Sequence, residues 1–113
     1  MLSIDVLRRF GANVDEGLGR CMGNEALYLK LVATIPGEKN FGKLSESIQN
    51  NDLDGAFEAA HALKGVLGNL SLTNMYDKVA DITELLRART EMDYSEKVAE
   101  IMNARDELAK LCE

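Results

Sequence analysis

Apolar residues recur at intervals of three and four through most of the chain, and short polar turns interrupt the pattern. In residues 38–49 the stripe is Phe41, Leu44 and Ile48; in 74–89 it is Met75, Val79, Ile82, Leu85 and Leu86; in 94–112 it is Val98, Ile101, Met102, Leu108 and Leu111. A period of 3.6 residues puts these positions on one side of a helix, and amphipathic helices must bury those sides against one another. Earlier in the chain, Asn24 provides an N-cap for residues 25–35, where Leu27, Leu31, Val32 and Ile35 carry the helical spacing. Pro36-Gly37 breaks or kinks that helix. The turn Asn50-Asn51-Asp52 opens a helix over residues 53–70, and Thr73 caps the next one. Two shorter elements come first: IDVLRRF, capped by Ser3 and ended by Gly11, and VDEGLGRCM, opened by Asn13 and Asp15 and stopped by Gly23. The expected fold is all-α, an antiparallel four-helix bundle with a short N-terminal helical extension, residues 1–113 forming one domain.

Composition agrees. Leu, Ala and Glu are the commonest residues, Val and Ile are too few for a sheet-rich protein, and there is 1 proline. The formal charge of −6 argues against nucleic acid, whose binding needs a basic face, and against an anionic membrane surface. No apolar run approaches the roughly 18 residues that cross a bilayer. At the N-terminus Asp5 interrupts the apolar residues and the basic residues follow them, the wrong order for a signal peptide. Cys21 and Cys112 stand in neither metal-ligand nor redox spacing and are expected as reduced thiols in a cytoplasmic protein. The acidic charge and the lack of a heptad seam make a monomer the expected state.

The chain has a single histidine, His61, and it lies in AAHALKGVLGNL, a helical stretch that contains two glycines. A glycine in a helix interior costs about 1 kcal/mol relative to alanine, so the pair needs a reason. At about 100° per residue, Lys64, Gly65 and Gly68 fall within about 60° of His61, and Phe57 and Glu58 flank it one turn earlier. Ala56, Ala59, Leu63, Val66, Leu67 and Leu70 gather on the opposite side, which is the core face. His61 therefore points outward, and the surface beyond it is stripped to backbone at Gly65 and Gly68, so that a large body can approach the ring.

An exposed imidazole with an ordinary pKa near 6.5 is mostly neutral at pH 7 and presents a nucleophilic lone pair. It can accept a phosphoryl group on nitrogen and release it again, aided by positioning and nearby positive charge. Lys64, three residues on along the same face, supplies such a charge. There is no second histidine and no phosphate-cradling glycine loop with its lysine. One histidine, one lysine and a cleared surface suit passing a group between proteins better than turning over a small substrate.

His61-Ala62-Leu63-Lys64-Gly65, with Gly68 and Asn69 following, resembles the motif of histidine-containing phosphotransfer (HPt) domains. GNEALYLKLVATI looks like the family's helix leading into its bundle, and residues 51–60 resemble its approach to the histidine; the likeness spans roughly residues 13–110. It implies a four-helix bundle in which His61 takes a phosphoryl group on Nε2 from a receiver-domain phospho-aspartate and passes it to another receiver. It further implies that Lys64 contacts the phosphoryl oxygens and that Gly65 leaves room for the receiver. The chain would need no cofactor, the receiver bringing the Mg²⁺. The partners implied are receiver domains of response regulators or hybrid histidine kinases. Nothing in the sequence resembles an ATP-binding kinase domain, so autophosphorylation is not expected, and a methionine start with little beyond the domain suggests a separate protein.

Two positions depart from the family pattern: Thr83 stands where many members have glutamine, and Ser71 where glycine is common. Arg87 either adds charge near the histidine or is a solvated helix residue. Phe57 either belongs to the docking patch, with Leu53 or residues of the short N-terminal helices, or is covered by those helices. Two other functions compete with the relay: a docking module that regulates a receiver or kinase without being phosphorylated, and a small hydrolase with His61 as general base, for which no partner acid is in view.

Overall fold

The structure, a computed structural model, describes residues 1–113. It contains seven α-helices and no strand: α1 (Ile4–Phe10), α2 (Val14–Arg20), α3 (Glu25–Ala33), α4 (Lys39–Gln49), α5 (Leu53–Asn69), α6 (Thr73–Arg87) and α7 (Ser95–Leu111). Pro36 sits inside a 3₁₀ turn, Ile35–Gly37, that separates α3 from α4, because proline offers no N–H to continue the helix ladder. The predicted caps at Ser3, Asn13, Asn24 and Asp52 all accept a backbone N–H two or three residues into their helices. Gly11 ends α1 with φ 116°, a left-handed conformation open to glycine and costly for other residues. Thr73 does not cap α6 as expected. It is the first helical residue, its hydroxyl donates to the Ser71 carbonyl, and no side chain caps that end.

Helices α4 to α7 close a ring in which α4 packs on α5, α5 on α6, α6 on α7 and α7 back on α4. The links at residues 50–52 and 70–72 are tight turns that join α4 to α5 and α5 to α6. The interior between them is filled by Leu44 from α4, Ala56, Ala60, Leu63 and Leu67 from α5, Val79 and Ile82 from α6, and Leu108 from α7, each with no exposed surface. The molecule measures 42 × 24 × 20 Å. A helix as long as α5 rises only about 25 Å, so α1–α3 add to the length of the bundle at its α5–α6 end.

Those short helices are joined to the bundle by directional contacts. The Tyr28 hydroxyl donates to the Leu70 carbonyl at 2.8 Å, Asn74 Nδ2 donates to the Phe10 carbonyl at 2.8 Å, and the Asn13 N–H donates to the Ser71 carbonyl at 2.8 Å. The Ser71 hydroxyl donates to Glu16 Oε1 at 2.7 Å. Gly17 of α2 lies against the Tyr28 ring so closely that a Cβ there would stand 2.5 Å from it. The buried side of α3 is Tyr28 and Val32, followed by Ile35; Leu27 and Leu31, expected inward, are 42% and 38% exposed. The two leucines share helical spacing with the core residues, and the anchoring of the Tyr28 hydroxyl decides which side turns in. Both cysteines are free, Cys21 buried and Cys112 half-buried.

Candidate functional site

His61 occupies the middle of α5 and is exposed, while Ala60 and Leu63 beside it are buried. The apolar stripe of that helix fixes its rotation, and the rotation turns the imidazole outward. Val66, at the margin of the stripe, and Leu70, at the C-terminal end of the helix, are half-buried. Beyond the histidine Gly65 is exposed, and a Cβ built there would meet nothing within 4 Å. An alanine at Gly65 would therefore clash with nothing inside the molecule; what glycine leaves is space on the outside. Gly68 differs. A Cβ there would lie 3.2 Å from the Tyr76 ring of α6, so the position expected as a second gap is already occupied by an aromatic side chain.

On the N-terminal side of His61 three side chains form a column. The Phe57 ring stacks on the imidazole, nearly parallel at 14° with centroids 5.8 Å apart, and the Arg87 guanidinium lies 5.0 Å from the Phe57 centroid. Arg87 Nε is held by Glu84 Oε2 at 3.0 Å, which fixes the far end of the column to α6. Phe57 is half-buried, and its cover is Arg87, not the N-terminal helices. Arg87 thus reaches this region through Phe57, whose ring contacts both the guanidinium and the imidazole. Leu53 lies away from this column, in a shallow depression with Ile48, Met92 and Tyr94.

On the other side, a cleft of about 610 Å³ opens from His61 and Lys64 across Gly65 and Gly68 to Tyr76 and Asp77 of α6. Its outer wall is α2, which contributes Asn13, Glu16 and Arg20. Lys64 is half-buried and makes no salt bridge, which leaves its ammonium available to an anion at His61. Thr83, the residue in the register of the family's glutamine, does not reach this region: it is fully buried and its hydroxyl donates to the Val79 carbonyl at 2.6 Å. A hydroxyl satisfied by its own helix backbone can sit in an apolar core.

Sequence reasoning missed Glu16, Arg20, Tyr76 and Asp77, because periodicity orients a helix without saying which distant helix lies beside it. One signal was present. Gly17 inside a seven-residue helix indicates a close neighbour, and that neighbour is Tyr28, the residue that fastens the extension to the end of α5. No group of three or more His, Cys, Asp or Glu side chains is placed to hold a metal ion. No helix is long and apolar enough to cross a membrane.

The geometry is that of a helical module with one exposed histidine in the middle of a bundle helix. Comparison with protein families identifies the class: the family model described as Hpt domain matches residues 37–113, and the chain belongs to that family. Hpt domains are phosphotransfer carriers in two-component phosphorelays. The match begins at the 3₁₀ turn and takes in α4–α7, leaving α1–α3 outside it. Comparison with curated proteins and with solved structures gives no match.

Proposed function

We propose that this protein carries a phosphoryl group on His61 between two receiver domains. The observation that supports this most is the exposed imidazole in mid-helix beside Gly65, where nothing stands within 4 Å of a Cβ position. In the forward step the Nε2 lone pair attacks the phosphorus of a receiver's aspartyl phosphate. The P–O bond to the aspartyl group breaks and its electrons leave with the carboxylate. The ring keeps its Nδ1 proton, so no proton moves in this step. A second receiver aspartate reverses it, attacking the phosphorus and releasing neutral imidazole.

Charge on the transferring group sits on its outer oxygens, and the Lys64 ammonium is the cation on the same helix face that can meet it. Phe57 holds the imidazole plane by stacking and presents an apolar margin to the partner, with Arg87 over its ring. Gly65 leaves the open surface against which the receiver's loops settle, with the Tyr76 ring beside Gly68 at its edge. The receiver brings the Mg²⁺ and most of the catalytic groups, and this chain acts as a carrier without a kinase activity of its own. We place it in the cytoplasm, as a single domain and a monomer, with receiver domains and not nucleic acid or membrane as its partners.

The test is transfer of acid-labile label from a phosphorylated receiver to the purified protein, compared with His61→Gln. Wild type should take up label and the variant should fall to background with unchanged helical content. Labelling of His61→Gln at the wild-type level overturns the assignment. An unlabelled wild type that still binds the receiver would instead establish a docking module.

A further inference from the structure

We propose that Arg20, on the N-terminal helix α2, is a second cation for the phosphoryl group on His61 and shifts the transfer equilibrium toward the phosphorylated carrier. The inference deepens the phosphotransfer reading and rests on it. Helix α2 lies outside the residues that match the family, yet Arg20 lines the same cleft as His61 and Lys64. The helix is fastened there from both sides: the Asn13 N–H donates to the Ser71 carbonyl, and Gly17 seats α2 against the Tyr28 ring.

The charges in the cleft are unevenly held. Glu16 and Asp77 carry negative charge into it, and Lys64 alone would leave it net negative before any phosphoryl group arrived. Arg20 restores the balance. Its nearest anion is Glu16, one turn back, at 3.8 Å, beyond hydrogen-bond distance, and the same Glu16 oxygen already accepts the Ser71 hydroxyl at 2.7 Å. Arg20 is half-exposed, so an exposed pair of this length contributes little and releases its guanidinium easily. A phosphoryl group offers a stronger acceptor, several oxygens in the fork geometry that a guanidinium matches. Glu16 stays satisfied by Ser71 when Arg20 turns away.

Two measurements on the full chain test this. In the first, wild type is phosphorylated with phosphoramidate, with no receiver present, and the Arg20 Nε–H resonance is followed by NMR. It should shift in wild type and stay still in His61→Gln. In the second, the partition of phosphoryl between a receiver and this chain is measured at equilibrium. Arg20→Gln should favour the receiver by about two- to fivefold more than wild type, an effect that Arg20→Lys, which keeps the charge and loses the fork, should restore in part and added salt should shrink. An unmoved Arg20 resonance on a labelled wild type, or a partition unchanged in Arg20→Gln, overturns the role of Arg20 and leaves His61 as carrier. A wild type that takes label from neither donor overturns both.

Discussion

Helix α5 meets its neighbours through Ala56, Ala59, Ala60, Leu63 and Leu67, all buried, whereas α1–α3, whose Leu7, Phe10, Val14, Tyr28 and Val32 join the same apolar core, are also tied to the bundle by hydrogen bonds that converge on residues 70–74. The first kind of contact is spread along the length of a helix and is not directional. Losing one side chain weakens it without changing which surfaces face each other. The second kind depends on a few groups at one corner: the carbonyls of Leu70 and Ser71, the Ser71 hydroxyl and the Asn74 amide. The site lies on the seam between the two, with His61 and Lys64 from the bundle and Glu16 and Arg20 from the extension lining one cleft. Orientation of the histidine is therefore a property of the bundle core. The shape of the cleft beside it depends on the corner.

The largest effect should come from the core. Ile82 has no exposed surface, and Ile82→Ala should cost about 2–5 kcal/mol, the transfer term plus the cavity left behind. Urea unfolding followed by circular dichroism should show the midpoint fall with one cooperative transition, the amides of α2 and α5 losing protection together in hydrogen exchange. Loss of protection confined to α6 would break the picture of a shared core.

That core was legible in the sequence and the corner was not. The stripes at Phe41 and Leu44, at Met75, Val79 and Ile82, and at Val98, Ile101 and Leu108 are buried as their spacing requires, and the stripe of α5 itself, Ala56, Ala59, Leu63 and Leu67, turns His61 outward. Periodicity fails where two faces of a helix are both apolar. On α3 it marked Leu27, Leu31, Val32 and Ile35; the chain buries Val32 and Ile35 as marked, but turns Leu27 and Leu31 partly outward and takes in Tyr28, whose hydroxyl donates to the Leu70 carbonyl. It is also silent about contacts made across 55 residues, such as Ser71 with Glu16, and so about the outer wall of the cleft. Thr83 was misplaced for a different reason: the register of the family's glutamine pointed it at the site, whereas its spacing, four residues after Val79 and three before Leu86, puts it on the core face where it is buried.

A smaller effect should come from the corner itself. Tyr28 is fully buried, and burial first, with Cys21 adding to it, pushes its hydroxyl up to about 12. Tyr28→Phe removes the donor to the Leu70 carbonyl and should cost about 1–2 kcal/mol at neutral pH. The pH dependence carries the sign. The folded chain holds the Tyr28 proton more tightly than the unfolded chain, whose tyrosine ionises near 10, so wild type should lose stability as pH rises from about 10 toward 12. Tyr28→Phe lacks this ionisation and should show a shallower alkaline slope in urea midpoints measured between pH 9 and about 11. Equal slopes would mean that the Tyr28 hydroxyl is not held as the structure describes.

The smallest effect belongs to Ser71, where two opposing terms meet in one residue. Its backbone is left-handed at φ 55°, a conformation that costs a non-glycine residue about 1 kcal/mol or more, and glycine would relieve it. The same serine is buried, and its hydroxyl donates to Glu16 at 2.7 Å, a charge-assisted bond that glycine would delete. Ser71→Gly should therefore change global stability by no more than about 1 kcal/mol, because relief of strain and loss of the bond are of similar size. The consequence should instead appear locally. Without the Ser71 hydroxyl, Glu16 is free to tighten its pair with Arg20, while the Asn13 N–H to Ser71 carbonyl bond survives. Hydrogen exchange should show α2 amides opening more readily with α5 and α6 unchanged, and phosphoryl partition should move toward the receiver as Glu16 competes for Arg20. An Arg20→Gln/Ser71→Gly double variant should then partition no differently from Arg20→Gln alone. Additive shifts in that double variant would show that Ser71 acts on the site by some route other than Glu16 and Arg20.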